Sequence, residues 1–561
     1  MIRQVDERDP IYAETKGISD RLTWILTQER GFMWDDDYTG EQVTLTAFES
    51  HADVIEMKSW SVMTPFYGED VLYSKSDLES KQDGLDVHTL LFLQTLYKQD
   101  WENFLERVKP KKNFWKDPHT AIELRLWASL LPVERIEELI KTKFTYVVAC
   151  QIYGRQKRNN DPKARDIDFL LHRFPNLRVS YIDEVRVNYQ KEQSYFTVLV
   201  KGSESLGTVE EVYRVRLPGN PILGEGKPEN QNAAIVFTRG ENLQTIDMNQ
   251  DGYIEESLKM RNMLEEFDSG TPDRPYTIVG LPEHIFTGSV SSLANYMALQ
   301  ETSFVTLGQR TLARPLRVRL HYGHPDVFNK LFFITRGGIS KASKGINLSE
   351  DIFAGYNNCL RGGSVTFPEY VKCGKGRDVG MQQIYKFEAK LAQGAAEQSL
   401  SRDVYRISQR LDFFKLLSFY YNHVGFYLSM SMIIWTVYIL LYCNLLRALL
   451  SLEGVGGRTP VLLSQLQMML GSVAFFTTAP LLATISVERG FKAALKEVFM
   501  IFVTGGPLYF LFHIGTKWFY YGQTILAGGA KYRATGRGFV TKHSRFDELY
   551  RFYASSHLYS G

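Results

Sequence analysis

Apolar residues follow two different patterns in the two parts of this chain. Before residue 300 they form short runs that predict buried strands, at the start of 60–75 and at 144–150, 177–182, 195–200, 212–217 and 234–239. Residues 86–108 and 166–174 space their apolar side chains as amphipathic helices do. Strands that alternate with helices in this way predict an α/β sheet domain.

After residue 424 the pattern changes to long apolar runs. Residues 424–446 and 461–485 contain no Asp, Glu, Lys or Arg, and each is longer than the about 20 residues that cross a bilayer core. A third run, 498–514, is interrupted by the sequence Gly-Gly-Pro. The segment after it is basic, and positive residues prefer the cytoplasmic side. We therefore expect two crossings and a re-entrant or interfacial third segment.

These patterns divide the chain into four units. They are a polar lead-in at 1–51, a cytosolic α/β domain at 52–415, a membrane region at 416–514 and a basic cytosolic tail at 515–561. The start, MIRQVDERDP, has no apolar core, so we expect internal segments to place the chain in the membrane.

The overall composition excludes several classes of protein. A net charge of +2 gives no reason to expect a nucleic-acid partner. The cysteines are far apart and include no CxxC pair, which argues against a disulfide framework or a structural zinc site: Cys150, Cys359, Cys373 and Cys443.

A pair of adjacent acids is the first candidate for chemistry. Glu350-Asp351 follows SKGINLS, so Ser349 or Asn347 is placed to cap a helix whose first turn carries both carboxylates. The pair would either complement the helix dipole or place one carboxylate in a cleft, where it takes a proton from a hydroxyl group.

Two basic turns that contain glycine are the second candidate. They are RGGISKASKG at 336–345 and GKGRD at 374–378. Glycines let backbone N–H groups approach a phosphate, and the cations neutralise it. The alternative is that both turns are solvated basic loops.

The remaining acidic motifs differ in what they predict. Residues 247–258 match the first half of an EF-hand calcium loop, but Leu258 stands where a bidentate Glu is needed. Asp166-Ile167-Asp168 has a DxD form in a helical setting, which indicates surface charge. Asp183-Glu184 ends a predicted strand and is the better ligand-facing acid. The run HYGHPD at 321–326 predicts a rigid turn that places Arg319 near a cleft, and we assign no metal ligands.

Long stretches of the chain resemble the 1,3-β-glucan synthases of fungal cell walls and plant callose, and are closer to the plant type. The resemblance runs from about residue 52 to the end. It is carried by motifs that include MTPFYGEDVLYSK (63–75), LPGNPILGEGKPENQN (217–232) and LRVRLHYGHPDVFNKLFFITRGGISKASKGINLSEDIFAG (316–355).

The resemblance implies processive, inverting transfer of glucose from UDP-glucose to the 3-hydroxyl of a growing β-1,3-glucan. It also implies a GT-A-like nucleotide-sugar domain followed by transmembrane helices. Asp351 would be the general base, with Glu350 as its neighbour or substitute. The residues that would hold the donor are Tyr67, Glu69, Asp183, Arg319, Lys341, Lys344 and, at the diphosphate, Arg402.

The family also implies a setting and partners. We expect a multi-pass protein of the plasma membrane whose partners are UDP-glucose, the glucan chain and the lipid bilayer. Control by a small GTPase is a family association, and a divalent cation such as Mg²⁺ is the one cofactor left open.

Three departures from the family are visible. A basic, aromatic segment that usually follows WASL is missing after Leu130, Ala233 replaces a usual His, and relatives are several times longer. We therefore expect the chain to be a fragment of a longer protein. The alternatives are a non-catalytic subunit of the same fold, or a processive enzyme that makes another β-glucan.

Overall fold

A computed structural model describes residues 58–66 and 144–528, apart from 174–176, 187–192, 204–207, 223–225, 248–249, 252–255, 257–258, 272–273, 321–323, 342–348, 378 and 450–458. The lead-in, the predicted helix at 86–108, the junction after Leu130 and the basic tail lie outside these residues. So do three of the predicted donor residues: Tyr67, Glu69 and Lys344.

The domain is built on a nine-stranded mixed sheet. Its strands are, in chain order, β1 (Trp60–Phe66), β2 (Phe144–Cys150), β3 (Val179–Arg186), β4 (Gln193–Gly202), β5 (Val209–Arg216), β6 (Asn242–Thr245), β8 (Tyr276–Val279), β10 (Val327–Asn329) and β11 (Ser364–Thr366). Their order across the sheet is β11-β8-β10-β6-β1-β2-β3-β4-β5. The central strands β6, β1, β2 and β3 are parallel. A second sheet joins three short strands in the order β7-β12-β9: β7 (Gln250–Asp251), β9 (Glu283–Ile285) and β12 (Cys373–Lys375).

Helices cover the sheet and then continue into the apolar region. Those of the domain are α1 (Tyr153–Arg158), α2 (Pro162–Arg173), α3 (Lys227–Ala234), α4 (Met260–Glu265), α5 (Ser292–Thr302), α6 (Gln309–Ala313), α7 (Lys330–Ile334), α8 (Glu350–Leu360), α9 (Met381–Ser399), α10 (Arg402–Ser408) and α11 (Phe413–Asn422). The last four are α12 (Val424–Leu449), α13 (Thr459–Arg489), α14 (Phe491–Val503) and α15 (Gly506–Ala527).

The α/β prediction is confirmed, because continuous apolar runs such as FTYVVAC form central parallel strands. Such strands are covered on both faces and therefore read as unbroken hydrophobic segments. In β2, alternate side chains serve two cores: Tyr146 and Val148 pack on one side, Val147 and Ala149 on the other. The sequence pattern therefore located the centre of the sheet.

One predicted strand is wrong. Residues 234–239 form the end of α3 and a 3₁₀ turn, Ile235–Phe237, which the Thr238 hydroxyl closes by donating to the Ile235 carbonyl at 2.7 Å. Ile235 is buried against the sheet. A short continuous apolar run occurs both in buried strands and at buried helix ends. The spacing of its apolar residues therefore could not distinguish a strand from a helix.

The apolar region contains helices where the long runs predicted them. Among the described residues, α12 holds a segment long and apolar enough to cross a membrane, Val424–Leu446. Helices α14 and α15 pass the same test as a pair bent by 67° at Gly505, the place of the Gly-Gly-Pro break. The arrangement of two crossings and the cytosolic tail stays a prediction.

Candidate active site

A group of charged side chains gathers where the central parallel strands end. The carboxyl ends of β1, β2 and β6 lie at one edge of the sheet, where α/β proteins bind ligands. Asp247 follows β6 by two residues. Lys227 begins α3 after Gly226, whose φ of +92° suits glycine and where an added Cβ would contact the Gln151 side chain beyond β2. Local sequence therefore delivers an acid and a cation to the same edge.

Lys227 joins two carboxylates at this edge. Its Nζ lies 3.0 Å from Glu350 Oε1 and 3.8 Å from Asp247 Oδ1. His324 adds its Nδ1 at 3.5 Å from Asp247 Oδ2. We name these four residues the edge cluster: Lys227, Asp247, His324 and Glu350. Asp247 and Lys227 are both partly exposed, so a ligand can reach the cluster from solvent.

The adjacent acids open α8, as the sequence predicts. Ser349 is the N-cap, although its side chain makes no capping hydrogen bond, and both carboxylates are in the first turn. Glu350 is buried and paired with Lys227, whereas Asp351 is half-buried and accepts a hydrogen bond from the Ile352 N–H at 2.9 Å. Their environments divide the pair into an anchored acid and a more accessible one.

His324 is neutral at physiological pH. Burial lowers its pKa to about 4, and the nearby Asp247 carboxylate only partly offsets that effect. The imidazole therefore contacts Asp247 as an uncharged ring, and Lys227 supplies the positive charge of the edge cluster.

The first basic turn reaches the same region. The Lys341 backbone N–H donates to the Glu350 carbonyl at 3.3 Å, and its Nζ lies 3.4 Å from Asp403 in α10. Arg402 is the exposed residue before Asp403. Two predicted donor residues, Lys341 and Arg402, are thus brought beside the helix that carries Glu350 and Asp351.

Two other predicted donor residues lie in ion pairs of their own. Asp183 accepts from Arg158 and Arg214, each at 3.1 Å, on the outer part of the sheet. It sits inside β3, which continues to Arg186, and not at the strand end that the sequence predicted.

Arg319 is buried and pairs with Asp326 at 2.7 Å and with Gln309 at 2.7 Å. This guanidinium therefore lies in the interior and not in the cleft that the sequence predicted. The structure joins neither Asp183 nor Arg319 to the edge cluster by a contact.

Neither cation of the second basic turn, Lys375 or Arg377, is solvated. Lys375 lies 3.0 Å from Glu283 and 2.9 Å from Glu301, and Arg377 lies 3.3 Å from Glu301. Burial lowers the pKa of Lys375, but the two glutamates outweigh it and hold the pKa above its usual range. The prediction of a phosphate-binding or solvated loop at 374–378 is wrong, because each cation pairs with a buried glutamate.

These pairs continue to the last apolar helix. Arg377 is 3.9 Å from Glu388 in α9, and Glu388 is 3.0 Å from Lys517 in α15. The whole series is named the ion ladder: Glu283, Lys375, Glu301, Arg377, Glu388 and Lys517. At its other end, the Gln250 side chain donates to Glu283 and to the His324 carbonyl. The ladder therefore links α15 with a neighbour of the edge cluster.

Sequence reasoning missed Lys227 and misread Asp247. Lys227 stands in GEGKPENQN, a glycine-containing segment after a strand, and Asp247 is the second residue after the buried strand β6. A charged residue just after a strand is a sequence feature that indicates the carboxyl edge of a parallel sheet. The sequence pattern around Asp247 instead suggests the first half of a calcium loop.

The described residues contain no group of three His, Cys, Asp or Glu side chains arranged to hold a metal ion. Asp247 faces a lysine and a neutral histidine. Asp168 of the DxD run accepts from the Tyr153 hydroxyl, and Asp166 is exposed on α2.

Comparison with known proteins gives closely similar relatives. The family model described as "1,3-beta-glucan synthase component" matches residues 41–124 and 129–561. Callose synthase 3 of Arabidopsis thaliana is 47% identical over 584 aligned positions, covering 91% of this chain and 30% of that protein. Callose synthase 7 of the same plant is 48% identical, covering 91% and 29%.

A solved structure is similar at a lower level. Mannosyltransferase PcManGT from Pyrobaculum calidifontis, in complex with GDP-Man and Mn²⁺, covers 92% of this chain and 97% of its own, with 10% identity and a TM-score of 0.35. That score is too low to support an argument about this chain. The chain spans about 30% of the length of the curated relatives it matches.

Proposed function

Because the chain belongs to the 1,3-beta-glucan synthase component family, we propose that it is the catalytic region of a membrane-bound 1,3-β-glucan synthase. It would transfer glucose from UDP-glucose to the 3-hydroxyl of a growing β-1,3-glucan. The observation that carries the proposal is the family match over 41–124 and 129–561. We propose that the reaction takes place at the edge cluster, in a domain that is GT-A-like.

The reaction needs one base and a stabilised leaving group. The acceptor 3-hydroxyl oxygen attacks the anomeric carbon as the bond to UDP breaks, and the hydroxyl proton passes to a carboxylate. We assign the role of proton acceptor to the Asp351 carboxylate, since Glu350 is buried against Lys227. Glu350 then acts as the acid that positions Lys227.

The leaving diphosphate gains negative charge, which nearby cations stabilise. Lys227 is the cation of the edge cluster, and Lys341 and Arg402 lie beside α8. Tyr67, Glu69 and Lys344 keep their proposed places at the donor, outside the described residues. The roles of Asp183 and Arg319 as donor ligands stay predictions, and the ion pairs that already hold both side chains argue against them. No step is assigned to a divalent cation, and a cofactor such as Mg²⁺ stays a prediction.

The setting is part of the proposal. The helices after α11 would pass the glucan through the plasma membrane, with the sheet domain on the cytosolic side. A regulatory small GTPase stays a family-based prediction.

A non-catalytic subunit is the second candidate, and a specific observation favours it. The family match is interrupted between 124 and 129, and 584 aligned positions exceed the whole chain length. The relatives therefore carry residues that this chain lacks. If these include the segment after Leu130, the chain would bind UDP-glucose without turnover.

The test is incorporation of labelled glucose from UDP-glucose into insoluble polymer by membranes that carry this chain. We expect product that a 1,3-specific glucanase digests and a 1,4-specific one does not. Asp351→Asn should lower the rate by about 10²–10⁴-fold, whereas Asp166→Asn, an exposed acid on α2, should leave it unchanged.

The outcomes separate the candidates. Product cut only by the 1,4-specific enzyme would indicate another β-glucan. If no polymer forms, the segment missing after Leu130 is restored from a relative. Recovery would then support an incomplete synthase, and UDP-glucose binding without recovery would support the subunit.

A further inference from the structure

Helix α11 carries an exposed apolar face just before the first long apolar helix. Five of its large side chains are exposed, among them Phe413 at 69% and Phe414 at 70%. The full set is Phe413, Phe414, Leu417, Tyr420 and Tyr421. At about 100° per residue these positions share one side of the helix, an arc of about 120°.

The opposite side of α11 is fixed to the domain. Phe419 is buried, and its ring packs against Tyr356 and His423, each at a centroid distance of 5.4 Å. This contact sets the rotation of the helix and directs the five apolar side chains away from the domain.

The position of the face in the chain indicates what covers it. His423 ends α11, and α12 with its membrane-crossing segment Val424–Leu446 begins at the next residue. The face therefore lies where the chain would meet a bilayer surface. An aromatic helix face at that level is typical of helices in the headgroup region.

Arginines precede the apolar face at every fourth position. Arg402, Arg406 and Arg410 are all exposed, and the Arg406 side chain is 61% exposed although it lies 3.4 Å from Asp403. The nearby acids are already paired: Asp403 with Lys341, and Asp412 with Lys415 at 2.7 Å. The surface therefore presents net positive charge beside apolar side chains.

We propose that α10, α11 and the turn between them form a docking surface for anionic phospholipids in the leaflet on the domain side. Arg406 and Arg410 would contact headgroup phosphates, and the aromatic face of α11 would enter the acyl boundary. This combination is the one by which amphipathic surfaces bind acidic membranes. The inference does not depend on the proposed reaction.

The test uses an NBD fluorophore at Leu417→Cys in the full chain, with Cys443 changed to Ser, reconstituted in vesicles. Brominated phosphatidylserine and brominated phosphatidylcholine are compared at equal mole fraction. We expect both lipids to quench the probe, and phosphatidylserine to quench it at least about threefold more. The same probe at Tyr213→Cys, exposed on β5, should be quenched by neither.

The headgroup preference is then assigned with paired variants. Arg406→Gln with Arg410→Gln should abolish the phosphatidylserine excess and keep the quenching by phosphatidylcholine. Lys492→Gln with Lys496→Gln, which removes two exposed cations of α14, should leave the excess unchanged.

Three results would overturn the proposal. Equal quenching by the two lipids in the unaltered surface would remove the anionic preference. An equal loss in both variant pairs would make it a general charge effect. A blue-shifted probe that neither lipid quenches would show that another segment of this chain covers the face.

Discussion

The edge cluster and the ion ladder use the same kinds of side chain in opposite surroundings. In the cluster, Lys227 serves two carboxylates and remains partly exposed with Asp247. In the ladder, Glu283 and Glu388 are almost fully enclosed, and each faces a lysine at 3.0 Å. Charges with solvent access can exchange partners with a ligand, whereas enclosed charges are held by one another.

This difference predicts which variants lose stability and which lose activity. The ladder joins α15 to α9 and to the small sheet, so its loss should first affect folding. The cluster lies at the carboxyl edge of the parallel strands, so its loss should first affect the reaction. The following tests run from the largest expected effect to the smallest.

Breaking the ladder at Glu388 should have the largest effect. Glu388→Met leaves Lys517 buried without its carboxylate, and loss of one partner of a buried pair costs about 3–5 kcal/mol. The measurement is the free energy of unfolding in detergent, or the yield of folded protein. Glu388→Met combined with Lys517→Met should lose less than the single variant, and a double variant that is equally damaged would contradict a pairwise ladder.

The next effect is a pH dependence at His324. Because burial lowers its folded-state pKa to about 4, the unfolded chain binds the proton more readily. Stability is therefore fully present above about pH 6.5 and falls as pH drops towards 4, by up to about 3 kcal/mol. His324→Gln should make the unfolding free energy less dependent on pH over this range. A curve identical to that of the unchanged protein would place the titration elsewhere.

Removal of the cation at the edge cluster should separate activity from stability. Lys227→Met should lower the rate of glucose incorporation by about 100-fold, since it deletes a positive charge at the proposed leaving group. The unfolding free energy should fall by about 1.5–3 kcal/mol, because the buried Glu350 carboxylate loses its charged partner. Lys227→Arg should retain stability and part of the activity, and a rate unaffected by Lys227→Met would remove the cluster from the reaction.

The smallest effect is expected at the surface of the outer strands. Asp183→Asn weakens exposed pairs with Arg158 and Arg214 and should cost about 0–1 kcal/mol. Because both arginines already occupy this carboxylate, we expect the KM for UDP-glucose to stay the same. A KM raised tenfold would instead return Asp183 to the donor site, and Glu211→Gln on the neighbouring strand serves as the control.

The sequence by itself determined the architecture and the acid pair. Continuous apolar runs form buried strands or helices, and the alternation of strands with helices predicted an α/β sheet domain. The order SEDIF placed Glu350 and Asp351 in the first turn of a helix, because capping is a local property. The resemblance of long motifs to 1,3-β-glucan synthases likewise needed no coordinates.

Only the tertiary structure decided which charges meet. RGGISKASKG and GKGRD look alike in the sequence, yet Lys341 approaches α8 while Lys375 and Arg377 enter the ion ladder. Lys227 and Glu350 are more than a hundred residues apart and join only because α3 and α8 begin at the same edge of the sheet. Partners that distant leave no local pattern, so burial and pairing, which separate a reactive charge from a structural one, become visible only in the folded chain.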